Sequence, residues 1–300
     1  MENLLQQLLN GVTWGSIYAL IALGYTMVYG VLRLINFAHG EVYMMGAMTG
    51  YYAARWLGVA GTPSVAGLVG VLIASMIVCG LLGALIERVA YRPLRGAGRL
   101  APLITAIGVS LLLQNAGQLV FGADPKFFPP LLESHEVLRA GEVAISNIQL
   151  TVLVTAVLLM GALEYIVQRT RFGRAMRAVS YDAPAAALMG VPVDRVITGT
   201  FVLGSMLAAA AGILVGLANP KIDPLMGLMP GLKAFVAAVL GGIGSVPGAM
   251  AGGLLLGVIE TLVTGYLSST YRDAIAFVIL VLILLYRPTG LFGAPQTEKV

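Results

Sequence analysis

Long apolar blocks alternate with short polar joints along this chain. A bilayer core takes about 20 apolar residues in a helix, and seven blocks have that length and character: 8–31, 64–86, 102–121, 150–168, 196–218, 247–266 and 272–287. Two more, 36–57 and 231–246, are apolar but interrupted by Gly, Asn, His, Glu or Lys. The pattern predicts an all-α, polytopic transmembrane helical bundle of about eight or nine spans, the number depending on which interrupted block crosses fully. The whole of 1–300 reads as one transmembrane domain.

The joints set the orientation. Residues 88–99 carry Arg88, Arg92, Arg95 and Arg99 with no acidic residue, and 169–195 carry Arg169, Arg171, Arg174, Arg177 and Arg195 against Asp182 and Asp194. Between them, 121–149 holds Asp124, Glu133, Glu136 and Glu142 but only Lys126 and Arg139. Short Arg-rich joints stay in the cytoplasm, and one span separates each joint from the next, so the alternation in, out, in is self-consistent. The tail after Arg287, where Pro288 stops the last span, then reads as cytoplasmic. The first block runs past Leu20 without a basic leader or a small-residue cleavage site, which predicts a retained span rather than a signal peptide.

Composition excludes several classes. Hydrophobic residues make up 58% and charged residues 11%, with a mean hydropathy of +0.90, against about 25% charged in ordinary globular proteins. A soluble fold of this size has too little charge here to cover its surface. The net charge of +4 comes from Arg at the ends of apolar runs, which is topology and not a nucleic-acid stripe. One cysteine, Cys79, allows no intrachain disulfide and no Cys-based zinc site. No P-loop pattern, nucleophile elbow or rhomboid-like Ser/His pair occurs, so the sequence offers no enzyme and no ATP site of its own. Gly204, Ala208, Gly212 and Gly216, and Gly248 with Gly252, recur every fourth residue; such small faces predict close helix packing in lipid.

Three segments carry more than packing. Asn36, His39 and Glu41 sit inside an apolar block, where an ionisable group costs about 2.5–3.5 kcal/mol. Two readings are open: Asn36 and His39 cap a helix start at the cytoplasmic interface while Glu41 satisfies backbone NH groups, or the three line a polar pathway. A metal site lacks a second nearby His. Next, Asn219 to Pro230 and Gly241 to Gly248 frame a short apolar piece with Pro and Gly. Interrupted helices at membrane depth persist only where they line a cavity, and one in each half, around 36–46 and 219–248, points to a substrate path between two repeated halves. Last, Asp182 suits an N-cap and Pro184 a first turn, Ala183, Ala185, Leu188 and Met189 favour helix, and Gly190 stops it. This predicts a two-turn helix of about 10 Å outside the membrane, its Leu188 and Met189 needing cover from lipid headgroups or a cytoplasmic partner. Mid-span Glu260 has no basic partner visible within the spans, whereas Glu164 can reach Arg169 at the inner end.

The stretch 11–30 (GVTWGSIYALIALGYTMVYG) with 35–41 (INFAHGE) resembles permeases of the branched-chain amino-acid ABC importers, the LivH-type subunit in particular. Residues 173–191 resemble that family's coupling region and 231–249 its broken-helix segment, and the likeness runs from about 8 to 292. The resemblance implies two cytoplasmic ATP-binding subunits, a second permease subunit of the LivM type, and a periplasmic binding protein delivering Leu, Ile or Val. It makes 169–195 the coupling loop, its short helix seated in an ATPase groove, in a protein of the bacterial inner membrane with no cofactor of its own. Urea and short-chain amide permeases share the 36–41 motif, so the cargo stays open. A proton-driven transporter or channel would use Glu260 but leave the 182–190 helix without a purpose, and a purely structural scaffold would leave the broken helices unexplained.

Overall fold

A computed structural model describes residues 2–98, 100–141 and 143–293; Arg99 and Glu142, two of the joint charges named above, lie outside the described residues. Helices α1 (Glu2–Leu32), α2 (His39–Trp56), α3 (Val65–Ile86), α4 (Leu100–Phe121), α5 (Asn147–Arg169), α6 (Arg171–Tyr181), α7 (Ala183–Leu188), α8 (Val193–Ala218), α9 (Leu228–Gly241), α10 (Val246–Tyr266) and α11 (Arg272–Tyr286) make up the bundle. The seven long blocks all fall in helices long and apolar enough to cross a membrane. Among the described residues, four short strands, β1 (Lys126–Phe127), β2 (Glu136–Ala140), β3 (Val143–Ser146) and β4 (Lys221–Ile222), pair antiparallel as β1–β4 and β2–β3.

The Arg-rich joints gather at one end. Past α3 the chain loosens into a π-type turn over Glu87–Tyr91 and a tight turn over Arg92–Leu94. There Arg92 and Arg95 both pair with Asp194 at the start of α8, and Arg95 also holds the buried Glu87. Ser180 of α6 donates to the Gly30 carbonyl, so α1 finishes at this same end. At the opposite end the Gln6 side chain accepts from the Ala144 amide at 2.9 Å, and β1 meets β4. With the Arg-rich end inside, α1 starts on the outer side.

Small residues let the core helices touch. A Cβ at Gly252 of α10 would strike the Ala237 carbonyl of α9, and one at Gly212 of α8 would strike the Tyr43 carbonyl of α2. The four-residue stripes are thus packing faces, as van der Waals association in lipid requires. Helices α3, α4, α5 and α11 instead turn rows of Leu, Val and Ile outward, among them Leu81, Leu112, Leu158 and Leu285.

The two interrupted blocks become half-helices running in opposite directions. Arg33, at φ 53°, turns the chain sharply after α1. The chain then climbs back, and α2 begins with His39 packed against Gly24. Gly24 lies eight residues before Leu32, so α2 starts about 12 Å in from the end of α1. From β4 on the outer side, the chain dips inward to α9, whose Gly227 and Gly231 rest on Gly40. Helix α9 then runs toward the inner end, where the Leu291 and Phe292 amides donate to the Leu240 and Gly241 carbonyls, each at 2.9 Å. Its 14 residues span about 21 Å, short of the hydrocarbon core.

Candidate functional site

The N-termini of α2 and α9 converge at the Gly40–Gly227 contact. Each brings the positive end of a helix dipole, although the His39, Glu41 and Leu228 amides already donate to the Asn36, Ala38 and Leu225 carbonyls and Pro230 has no N–H. Glycine is required on both sides: a Cβ on Gly40 would sit 2.6 Å from the Gly227 carbonyl oxygen. A cavity of about 290 Å³ opens beside this junction, lined by Tyr25, Phe37, Glu41, Ser110, Gln114 and Gly231 among others. Its remaining wall is mainly apolar, with Ile107, Leu111, Leu228 and Leu232.

Glu41, in the first turn of α2, is the charged group of that cavity. Its Oε1 accepts from Gln114 Nε2 at 2.7 Å and more loosely from Ser110 Oγ at 3.4 Å. Its Oε2 is buried and has no hydrogen-bond partner; it points at Gly227, where a Cβ would come within 2.7 Å of it. Glu41 therefore meets side chains of α4, not the backbone NH groups of the first of the two sequence readings. A carboxylate with one satisfied and one bare oxygen, under two helix N-termini, has capacity left for a donor.

Asn36 and His39 take other places. Asn36 is buried, and its Oδ1 accepts from the Ala38 amide at 3.2 Å and from the Tyr91 hydroxyl at 2.9 Å, so it ties the re-entrant turn to the end of α3. The N-cap of α2 is Ala38, without a side-chain cap; neither Asn36 nor His39 fills the capping position, and the helix start lies well inside the bundle rather than at the interface. His39 wedges between α1 and α8 at Gly24 and Gly204, edge-on to the Tyr25 ring at 4.9 Å, with Nε2 buried and without a hydrogen-bond partner.

Asn219 and Glu260 belong to the outer half. Asn219, just past the end of α8, lines a second cavity of about 300 Å³ together with Tyr43, Asp223, Met229, Lys233 and Arg272. Glu260 of α10 is buried behind that cavity and is not isolated. The Tyr18 hydroxyl donates to its Oε2 at 2.9 Å, Arg272 Nε at 3.0 Å, and Lys233 Nζ stands 2.8 Å from its Oε1. Lys233 also pairs with Asp273 at 2.6 Å. Both cations lie far from Glu260 in sequence or beyond its span, which hid them. Glu164 likewise departs from expectation: it makes no ion pair with Arg169, and its Oε2 is buried without a hydrogen-bond partner.

Ser110, Gln114, Lys233 and Arg272 are the residues that sequence reasoning passed over. For the first two a signal existed, since two polar side chains four apart in an apolar span share one helix face.

At the inner end the 169–195 loop holds two helices where one was expected. The expected one is α7: Asp182 caps it by accepting from the Ala185 amide at 2.9 Å, Pro184 lies in its first turn, and Gly190 ends it at φ 81°. Ala186 packs inward, while Leu188 and Met189 are 90% and 84% exposed. The added helix, α6, is capped by Thr170, which accepts from the Gly173 amide, and docks α7 onto the bundle.

A bundle whose two opposed half-helices close on a cavity at depth, with an apolar knob projecting from its inner end, is built as a multi-pass membrane permease. The chain belongs to the family described as the permease component of the branched-chain amino acid transport system, whose pattern matches residues 7–284. It is 49% identical to the high-affinity branched-chain amino acid transport system permease protein BraD of Pseudomonas aeruginosa, over 99% of this chain and 98% of that one. It is 46% identical to the corresponding LivH of Escherichia coli, over 99% and 97%. A probable branched-chain amino acid transport permease of Methanocaldococcus jannaschii is 26% identical over 94% and 90%.

Proposed function

We propose that this chain is a permease subunit of an ATP-driven importer of Leu, Ile or Val in a bacterial inner membrane. It works with two cytoplasmic ATP-binding subunits, a second permease subunit of the LivM type and a periplasmic substrate-binding protein. The observation that carries the reading is the half-satisfied Glu41 at the junction of α2 and α9. Its bare Oε2 accepts the ammonium of an amino acid, helix N-terminal amides receive the carboxylate, and the apolar wall takes the aliphatic side chain.

In this reading Asn36 and His39 position the start of α2 without touching the cargo, and Asn219 belongs to the outer approach. Glu260 holds Lys233 and Arg272 in place. The segment Asp182, Ala183, Pro184, Ala185, Leu188, Met189 and Gly190 seats in an ATPase groove. A knob this apolar and this exposed needs cover, and a partner that closes on ATP supplies force through it to switch the path between outward- and inward-facing.

Uptake of labelled leucine and labelled urea by cells carrying the complete transporter, with and without this subunit, tests the reading. Leucine uptake is expected to require this chain and to vanish when the P-loop lysine of the ATPase is replaced. Urea uptake in its place would overturn the substrate, and uptake that follows the proton gradient without an ATPase would overturn the mechanism. Replacing Leu188 and Met189 together by Glu is expected to abolish uptake while the permease still reaches the membrane.

A further inference from the structure

The first turns of α9 have two working faces. Leu228, Gly231 and Leu232 line the cavity of Glu41, whereas Met229, Pro230 and Lys233 line the outer cavity. At 100° per residue these are opposite sides of one helix, so a single helix end separates the two spaces. We propose that the outer cavity is a separate reception site for a zwitterionic aliphatic amino acid, held there before it reaches the junction of the half-helices.

Charge placement points to that ligand class. Three cations, Lys221, Lys233 and Arg272, and one anion, Asp223, line the cavity. Lys233 and Arg272 are anchored by Glu260, yet neither is used up. An ammonium has three donors; Lys233 Nζ is ion-paired with Glu260 at 2.8 Å and with Asp273 at 2.6 Å, and the contact with Glu260 Oε1 is not a hydrogen bond. A guanidinium has five, and Arg272 spends its Nε on Glu260 and an Nη2 donor on the Tyr18 hydroxyl at 3.3 Å. The leftover donors belong to side chains that line the cavity and suit a carboxylate. Asp223 has one oxygen on the Leu225 amide at 2.9 Å and the other available for an ammonium. Ile17, Val215, Met226 and Met229 supply an apolar wall. A neutral amide such as urea would leave both ends of this arrangement unmatched, and a plain organic anion would leave Asp223 unpaired.

The inference rests on the amino-acid permease reading, and its test separates the two. The complete importer, purified without its binding protein, is probed by saturation-transfer NMR with leucine, leucinamide and 4-methylpentanoate, while ATP-driven leucine uptake is measured in parallel with the binding protein present. Leucine is expected to bind about tenfold tighter than either analogue, a difference that one charge-assisted pair supplies. Asp223→Asn keeps an acceptor for the Leu225 amide and should erase the preference over 4-methylpentanoate while leaving that over leucinamide. Met229→Trp, at a half-exposed position, should fill the cavity and remove the Asp223-dependent share of leucine binding, leaving only what the Glu41 cavity retains.

Equal binding of the three compounds, or a leucine signal untouched by both substitutions, would overturn the outer site; persisting leucine uptake would then leave the permease reading standing. Loss of any ATP-driven leucine uptake by the unsubstituted importer would bring down that reading and the outer site with it.

Discussion

Glu41 and Glu260 are both buried carboxylates in the membrane-spanning bundle, and their surroundings could hardly differ more. Glu260 meets a lysine, an arginine and a tyrosine hydroxyl, and Lys233 carries Asp273 as a further counter-charge. Glu41 has one amide and one distant hydroxyl on one oxygen and no hydrogen-bond partner on the other. Burying a charge is costly unless it is paired and hydrogen-bonded. Each carboxylate has one oxygen without a hydrogen-bond partner. That of Glu260 faces the Lys233 ammonium at 2.8 Å, whereas Glu41 has no ion pair among the described residues. The first can be structural, and the second has capacity reserved for a cation that arrives later. The same contrast separates the two half-helices: α9 is pinned to α10 and α11 by ions, while α2 carries its buried carboxylate in the wall of a cavity.

Removing the charge from each carboxylate should therefore produce opposite signatures. Glu260→Gln strands Lys233 and Arg272 against a neutral group. Breaking a buried pair from one side costs about 3–5 kcal/mol, with the low end expected because Arg272 is partly exposed and Lys233 retains Asp273. Thermal unfolding of the detergent-solubilised importer is expected to shift well down; an unchanged midpoint would remove the structural role.

Gln114→Leu sharpens the comparison from the other side, because it strips Glu41 of its 2.7 Å donor. Leaving a buried acceptor unmade costs about 1–3 kcal/mol, seen as reduced stability together with reduced leucine uptake.

Glu41→Gln keeps an acceptor for Gln114 and so should leave the unfolding midpoint nearly unchanged. ATP-driven uptake should fall about tenfold, equivalent to about 1.4 kcal/mol. Wild-type uptake by this variant would end the assignment of the ammonium to Glu41.

The smallest effect is expected from Arg272→Lys. It preserves the charge near Glu260 but replaces a forked donor by a point charge, and should cost about 1 kcal/mol in stability. A loss as large as that of Glu260→Gln would mean that Arg272, rather than Lys233, anchors the cluster.

Much of the architecture was legible because lipid imposes a length on every crossing helix. The seven long blocks, the sidedness of the Arg-rich joints and the capped knob at Asp182–Gly190 needed only local sequence. The close contacts at Gly212 and Gly252 were foreshadowed by their four-residue spacing, since only small residues let backbones meet. Even the two broken segments were visible, because Pro, Gly and ionisable groups interrupt an apolar run for few reasons other than a cavity.

Partnership was not legible. Glu260 looked alone because Lys233 sits in the interrupted helix α9 and Arg272 beyond the turn after α10, and no linear pattern brings them together. Glu41 could be read as a helix-start residue or as part of a polar pathway, and only the fold set α4 beside it and gave Gln114 a carboxylate to meet. The opposed directions of α2 and α9 follow from where the chain re-enters the bundle, a matter of packing at Gly24 and Gly40 rather than of composition. Sequence alone determines what a bilayer demands of each segment, because that demand is local. Which buried charge is satisfied and which is left open is decided only in the folded bundle, because satisfaction depends on neighbours brought from distant parts of the chain.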